Sequence, residues 1–176
     1  MKKNNVQKMV MTSLCVAIGL VLPQLLHSVP QAGSILLPMH IPVLLCGLLC
    51  GWAWGLGCGV LTPLLSSLIL GMPPAPYLPG MLVELATYAL IAGLLYRTFK
   101  LNIYVALLCA MLAGRVAYGL LQTVMFLAGG SAYSFQIFFT GLFVKGLPGI
   151  AIQIVLIPLL VLALEKAGVS QKPKLA

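Results

Sequence analysis

Apolar residues run along this chain in long, nearly unbroken stretches, and short polar or Gly/Pro breaks divide them into six segments. The predicted segments cover about 8–26, 38–51, 55–70, 80–96, 103–128 and 135–164. A transmembrane helix needs roughly 20 apolar residues. Barrel strands alternate with period two, which these runs do not, so helices are the expected element. The pattern predicts an all-α integral membrane protein: one domain over residues 1–176, built from six transmembrane helices. Segments two and three are short for a full span, so at least one of them is expected to be little tilted or partly re-entrant. Between them Trp52-Ala53-Trp54 reads as a break carrying an aromatic anchor at the membrane interface. Gly47, Gly51, Gly55 and Gly59 recur every four residues through this hairpin, spacing that lets helix backbones approach closely. Gly71 to Pro79 is too rich in proline to be helical and forms the next connection.

Composition agrees with the pattern: 61% of the 176 residues are hydrophobic and 7% are charged, against about 25% charged in soluble domains. The formal charge of +8 invites a nucleic-acid reading. The positions of the charges argue against it. Lys2, Lys3 and Lys8 precede the first apolar run, Arg97 and Lys100 share one loop, and Lys166, Lys172 and Lys174 follow the last run. By the positive-inside rule these cations place both termini and the Arg97–Asn102 loop in the cytoplasm. The opposite connections, His27–Leu37, Gly71–Pro79 and Gly129–Ser134, contain no Lys, Arg, Asp or Glu. The first apolar run follows a basic start, but it is long and lacks a small-x-small cleavage site, so it reads as a retained helix. Cys46 and Cys50 share a helical face without a carboxylate or histidine at ligand spacing; the cysteines are expected to be packing residues, and no metal site is expected.

Three ionisable residues remain inside the hydrocarbon region: Glu84, Arg115 and Lys145. Arg115 interrupts the longest run, and a charge at the bilayer centre costs about 2.5–3.5 kcal/mol on insertion scales. Helical rise places Glu84 roughly 6 Å, Lys145 roughly 15 Å and Arg115 roughly 20 Å below the outer ends of their segments. All three can serve one cavity that opens outward. Tyr88 lies one turn from Glu84, and Tyr118 and Gln122 share a face with Arg115. Lys145 shares a face with Gln153, and Pro148 removes the usual donor to the Val144 carbonyl. His40 falls outside this deep cluster, with a helix-start role and a ligand contact both open. One reading is that Glu84 pairs with a cation and the charges only pin the bundle. The cluster sums to +1, which an anionic group such as a carboxylate would balance. There is no Asp, and Glu84 and Glu165 are the only acids; no HExxH, phosphate loop or nucleophile elbow occurs, so no enzymatic activity is expected. The same shortage of acids, and the lack of internal repeats, speaks against a self-sufficient carrier.

Leu37-Pro38-Met39-His40-Ile41-Pro42, the Gly47–Gly59 region and Thr62-Pro63-Leu64-Leu65-Ser66-Ser67 together resemble a known family. The likeness continues through Gly71-Met72-Pro73-Pro74, Met81-Leu82-Val83-Glu84-Leu85, Gly114-Arg115 and Lys145-Gly146-Leu147-Pro148-Gly149. The chain is similar to a substrate-binding S component of an energy-coupling factor (ECF) transporter. That resemblance implies a six-helix subunit in a prokaryotic plasma membrane that captures a B-vitamin or related small micronutrient from outside. It implies a transmembrane coupling protein (the T component) and two ATPases as partners; ATP would act there, leaving this chain without a cofactor. The family's substrate region maps here onto Glu84, Tyr88, Arg115, Tyr118, Gln122 and Lys145, with His40 and Tyr77 as loop-side contacts. Many members carry Ala-xxx-Ala on the first helix, where the coupling protein docks; Ser13 and Ala17 stand at the nearest match here. The alternatives are a self-sufficient small carrier and a non-transporting structural or assembly subunit.

Overall fold

A computed structural model describes residues 3–26, 37–128 and 147–168. Among the described residues the chain is all-helical, with six helices. These are α1 (Lys3–Leu26), α2 (His40–Cys50), α3 (Trp52–Leu70), α4 (Leu78–Gly93), α5 (Ile103–Ala128) and α6 (Leu147–Lys166). A π-helical turn, Leu94–Thr98, prolongs α4 without a break. Five of the helices are long and apolar enough to cross a membrane; α2 is the shorter sixth. Residues 135–146, the first part of the predicted sixth segment, lie outside the described residues, as do the connections at 27–36 and 129–134. Within what is described, α6 starts at Leu147 and carries Pro148 in its first turn, where a missing N–H costs little.

Two expected boundaries move. The Trp52–Trp54 stretch is the first turn of α3, and the chain reverses at Gly51 alone. Gly51 has φ 97°, a left-handed conformation that a Cβ would oppose. The second is the start of α4 at Leu78, with Pro79 accommodated in its first turn. Of the two short segments, α3 reaches 19 residues whereas α2 has 11. At 1.5 Å per residue α2 is roughly 16 Å long, about half the hydrocarbon thickness.

Small residues bring α2, α3 and α4 to backbone contact. A Cβ on Gly55 would stand 2.6 Å from the Gly47 Cα. One on Gly59 would stand 2.7 Å from the Leu85 carbonyl oxygen, and one on Gly93 would stand 2.6 Å from the Trp52 nitrogen. Gly47, Gly55 and Gly59 of the repeat are therefore packing residues on two helices, as their spacing suggested, and Gly93 extends the seam along α4, whereas Gly51 meets no neighbour and serves the reversal. On the far side of α2 and α3, α1 closes in where Gly19 faces Thr62 and Pro42. Around the seam, Val43, Leu44, Leu48, Leu85 and Ala89 are fully buried. Helix α5 packs on α4, and α6 packs on α2 and α5.

One end of the bundle gathers the cations. Arg97, in the π turn, donates from Nε to the Leu48 carbonyl at 2.8 Å and from Nη2 to the Leu49 carbonyl at 2.6 Å. These contacts supply the carbonyls that the last turn of α2 leaves without intrahelical donors. Beside it the Tyr96 hydroxyl donates to Glu165 Oε1 at 3.1 Å, holding the end of α6 to the same place. The Lys8 carbonyl of α1 accepts from Cys50 Sγ at 3.9 Å, so α1 begins at this end as well. Lys8, Arg97, Lys100 and Lys166 thus share one end, which the positive-inside rule makes cytoplasmic.

The glycine seam predicts that Gly55→Val lowers the stability of the detergent-purified protein by about 1–3 kcal/mol, the usual cost of overpacking. Gly57, around which a Cβ would find open space, is the control: Gly57→Ala leaves the thermal unfolding midpoint unchanged or slightly raised. Removing the clamp by Arg97→Met costs about 1.5–3 kcal/mol, the worth of hydrogen bonds from a charged donor. Lys100→Met at an exposed position nearby has no such effect. Thermal unfolding of the four variants checks both expectations.

Candidate functional site

Three helices meet at one level through four side chains. Measured from the basic end, His40 stands 10 residues up α2, Glu84 14 residues up from Thr98, and Arg115 12 residues up from Ile103. These separations correspond to roughly 15, 21 and 18 Å, close to the bilayer midplane. His40 is the first residue of α2, and its position follows from the brevity of that helix. A helix of this length rising from the cytoplasmic end stops halfway. Its N-terminal turn, with the positive end of its dipole, therefore opens inside the membrane.

Glu84 is the centre of the cluster. Its Oε1 accepts from the Tyr88 hydroxyl at 3.1 Å, lies 3.3 Å from Arg115 Nε, and lies 3.6 Å from His40 Nε2. The His40 and Tyr88 rings meet edge to face with centroids 5.3 Å apart, a favoured aromatic geometry. All four residues are buried, Glu84 at 5% and Arg115 at 7% exposure. Breaking such a pair by removing one partner leaves an uncompensated buried charge, a cost of about 3–5 kcal/mol.

The approach of α5 depends on Gly114. A Cβ there would collide with the Tyr88 ring and come within 3.0 Å of the Glu84 carbonyl oxygen. The residue before the arginine therefore has to be glycine for Arg115 to reach Glu84. One turn further from the basic end, Gly80 gives way in the same manner to the Tyr118 ring, 2.7 Å from where its Cβ would be. Gln122 Nε2 donates to the Tyr118 hydroxyl at 3.4 Å, continuing the polar face of α5. In this antiparallel register α5 runs on past the start of α4 by about eight residues, roughly 12 Å. The difference in depth between Glu84 and Arg115, read from their segment ends, vanishes for this reason.

The cluster holds several buried nitrogens without partners among the described residues. Arg115 Nε and Nη2 and both ring nitrogens of His40 are buried without an aligned hydrogen-bond partner among the described residues. The 3.3 and 3.6 Å contacts to Glu84 are thus ion-pair contacts off the line of a hydrogen bond. Ser66 Oγ on α3 and Gln153 Nε2 on α6 are further buried polar atoms in the same condition. Buried polar groups are normally paired, so the Arg115 nitrogens and a ring N–H of His40 have capacity for further acceptor atoms.

His40 is the principal departure from the sequence reading, which put it outside the deep cluster; it is fully buried and in contact with Glu84 and Tyr88. The signal was present in the short run between Pro38 and Gly51, too short to reach the far interface. Tyr118 and Gln122 adjoin the cluster as their spacing suggested. Tyr77 does not join it: at 56% exposure it caps the outer end of α4. Lys145 and the Val144 carbonyl lie outside the described residues. Ser13 and Ala17 lie exposed on α1, opposite the face where Thr12, Cys15 and Gly19 pack inward; the Ser13 hydroxyl donates to the Met9 carbonyl of its own helix.

Comparison with curated proteins and with solved structures gives no match. A family model described as ECF transporter, substrate-specific component, matches residues 7–161. That range takes in His40, Glu84, Tyr88, Arg115 and the glycine seam, and it covers most of the chain. The chain is a multi-pass, helical membrane protein belonging to the family of substrate-specific components of ECF transporters.

Proposed function

We propose that this chain is the high-affinity substrate-binding subunit of an ECF-type ABC importer and captures a B-vitamin or related small, carboxylate-bearing micronutrient from outside a prokaryotic plasma membrane. The single observation that carries the substrate class is the buried arginine. Arg115 has one carboxylate beside it, and two guanidinium nitrogens without a hydrogen-bond partner among the described residues. A carboxylate of the substrate matches the fork of a guanidinium better than any neutral group. His40 and the N-terminal turn of α2 add donors and positive potential at the same level. In this reading Glu84 and Tyr88 hold Arg115 in place, while Tyr118 and Gln122 contact the substrate on its way from the outer end. Lys145 is proposed to reach the same cavity from the stretch preceding α6.

Energy for uptake comes from outside the chain. A transmembrane coupling protein and two ATPases are the proposed partners, with ATP bound and hydrolysed on the latter. The exposed Ser13–Ala17 face of α1 is the proposed docking surface for the coupling protein, since small residues at that spacing admit a second helix closely.

Two outcomes check this reading. Purified protein retains a small carboxylate-bearing molecule without ATP, identifiable by mass spectrometry, and Arg115→Met binds it at least about tenfold more weakly while still inserting and purifying. Unchanged affinity in the folded variant would return Arg115 to a purely structural role. Affinity purification from membranes brings down the coupling protein and ATPases, and uptake in liposomes requires them. Uptake by this chain alone would instead support a self-sufficient carrier.

A further inference from the structure

We infer that the substrate lies along the line of α2, with its carboxylate at the level of Arg115 and Gln153 and a neutral hydrogen-bonding group at Ser66, roughly 8 Å further out. The inference deepens the anion-binding reading above and rests on it. Helices α1, α3, α4 and α6 all pack on α2, so α2 is the central helix of the bundle. It begins at His40, behind a turn at residues 38–39, while the helices around it run on outward.

The glycine seam carries Ser66 of α3 to that central line. Gly55 stands against Gly47 of α2, and one heptad outward of this contact on the two antiparallel helices stand Thr62 and His40. Ser66 is one turn beyond, roughly 6 Å past the start of α2. It follows Gly59 by about two turns and Gly55 by about three, so it points as they do, toward α2 and α4. Against α4, Gly55 meets Ala89 and Gly59 meets Leu85 and Ala86. The same register sets Ser66 beside Leu78 and Pro79, roughly 8 Å outward of Glu84 and level with the Tyr118 ring over Gly80. Its hydroxyl is unusual. Thr12, Thr62, Thr87 and Thr123 each donate to the carbonyl one turn back on their own helix, the habitual refuge of a helical hydroxyl. Ser66, 1% exposed, has no hydrogen-bond partner among the described residues. A hydroxyl that can both donate and accept suits a neutral group such as a hydroxyl or an amide.

Gln153 reaches the floor of the site from α6. The Tyr96–Glu165 hydrogen bond joins α4 and α6, which run in the same direction. An equal count of residues outward from this bond leads to Glu84 on one helix and Gln153 on the other, so the two are level. Helix α6 also packs on α2 and α5, the helices of His40 and Arg115. Gln153 is the only polar side chain of α6 before Glu165. It is 1% exposed, and its Nε2 has no partner among the described residues. An amide N–H there adds a second donor to the guanidinium for a carboxylate.

Four probes on the detergent-purified full chain test this. Pantothenate and biotin carry a carboxylate and a distant hydroxyl, amide or ureido group; octanoate and benzoate carry the carboxylate alone. Pantothenate or biotin binds more tightly than the other two. Ser66→Ala weakens that tighter binding roughly three- to tenfold, the range for one neutral hydrogen bond, and leaves octanoate and benzoate unchanged. Gln153→Met weakens every probe that binds by a similar factor. Thermal unfolding of the empty variants separates these roles from structural ones. Both midpoints equal the wild type or rise, because each change removes a buried polar atom that lacks a partner; a lower midpoint overturns the inference. Equal losses for long and short probes in Ser66→Ala overturn it too. So does unchanged binding in both variants while Arg115→Met still weakens it, and the anion reading then stands. Probe binding that ignores Arg115→Met, or binding of none of the four, overturns both.

Discussion

An arginine at the midplane of a bilayer demands a counter-charge, and much of this bundle is arranged to deliver one. Glu84 meets Arg115 at 3.3 Å only because α4 and α5 lie almost in backbone contact there. Gly114 makes room for the Tyr88 ring, and the Tyr88 hydroxyl in turn holds the Glu84 carboxylate. Each of these residues positions the next. An apolar replacement of the pair would be at least as stable in a simple bundle, since desolvating two charges offsets much of their attraction. The pair stands where α2 stops short, with Arg115 nitrogens left over among the described residues, and this is the feature on which the proposed binding role rests.

The frame behind the pair is the glycine seam. Gly47, Gly55, Gly59 and Gly93 let three backbones touch, and the side chains that would otherwise separate them are absent. In lipid, where apolar side chains gain nothing by leaving water, such close packing is a main source of helix association. The Arg97 clamp completes the frame at the cytoplasmic end by satisfying the last carbonyls of α2. The site thus stands on a base that is fixed at its basic end. At its floor Arg115 is paired with Glu84 and keeps buried nitrogens without a hydrogen-bond partner among the described residues, which is what the proposed anion site rests on.

Helix number, the polarity of the two ends and the presence of buried charges were legible because each follows from local composition. Hydropathy counts spans, and the cations mark the ends that water and phosphate must reach. Two acids in the whole chain also made Glu84 the sole candidate for the arginine's partner, since Glu165 falls at a helix end. The glycine spacing pointed to packing for an equally local reason, the lack of a Cβ. Tyr88, Tyr118 and Gln122 could be placed from helical periodicity, which fixes what shares a face with a known residue.

What remained was decided between helices. Residue number measures depth only relative to a helix's own end, and the ends are not level: α2 starts near the midplane, and α5 runs past the start of α4. His40 was therefore read as lying outside the deep cluster, as a helix-start residue or a loop-side contact, whereas packing carries it into contact with Glu84 and Tyr88. Tyr77, read as a loop-side residue, stays exposed at the start of α4 while the cluster forms two turns below. The reversal at Gly51 depended on one backbone angle that the neighbouring tryptophans disguised. Sequence by itself determined which side chains this membrane protein must neutralise; the offsets between its helices determined which of them meet, because register is a property of contacts and not of composition.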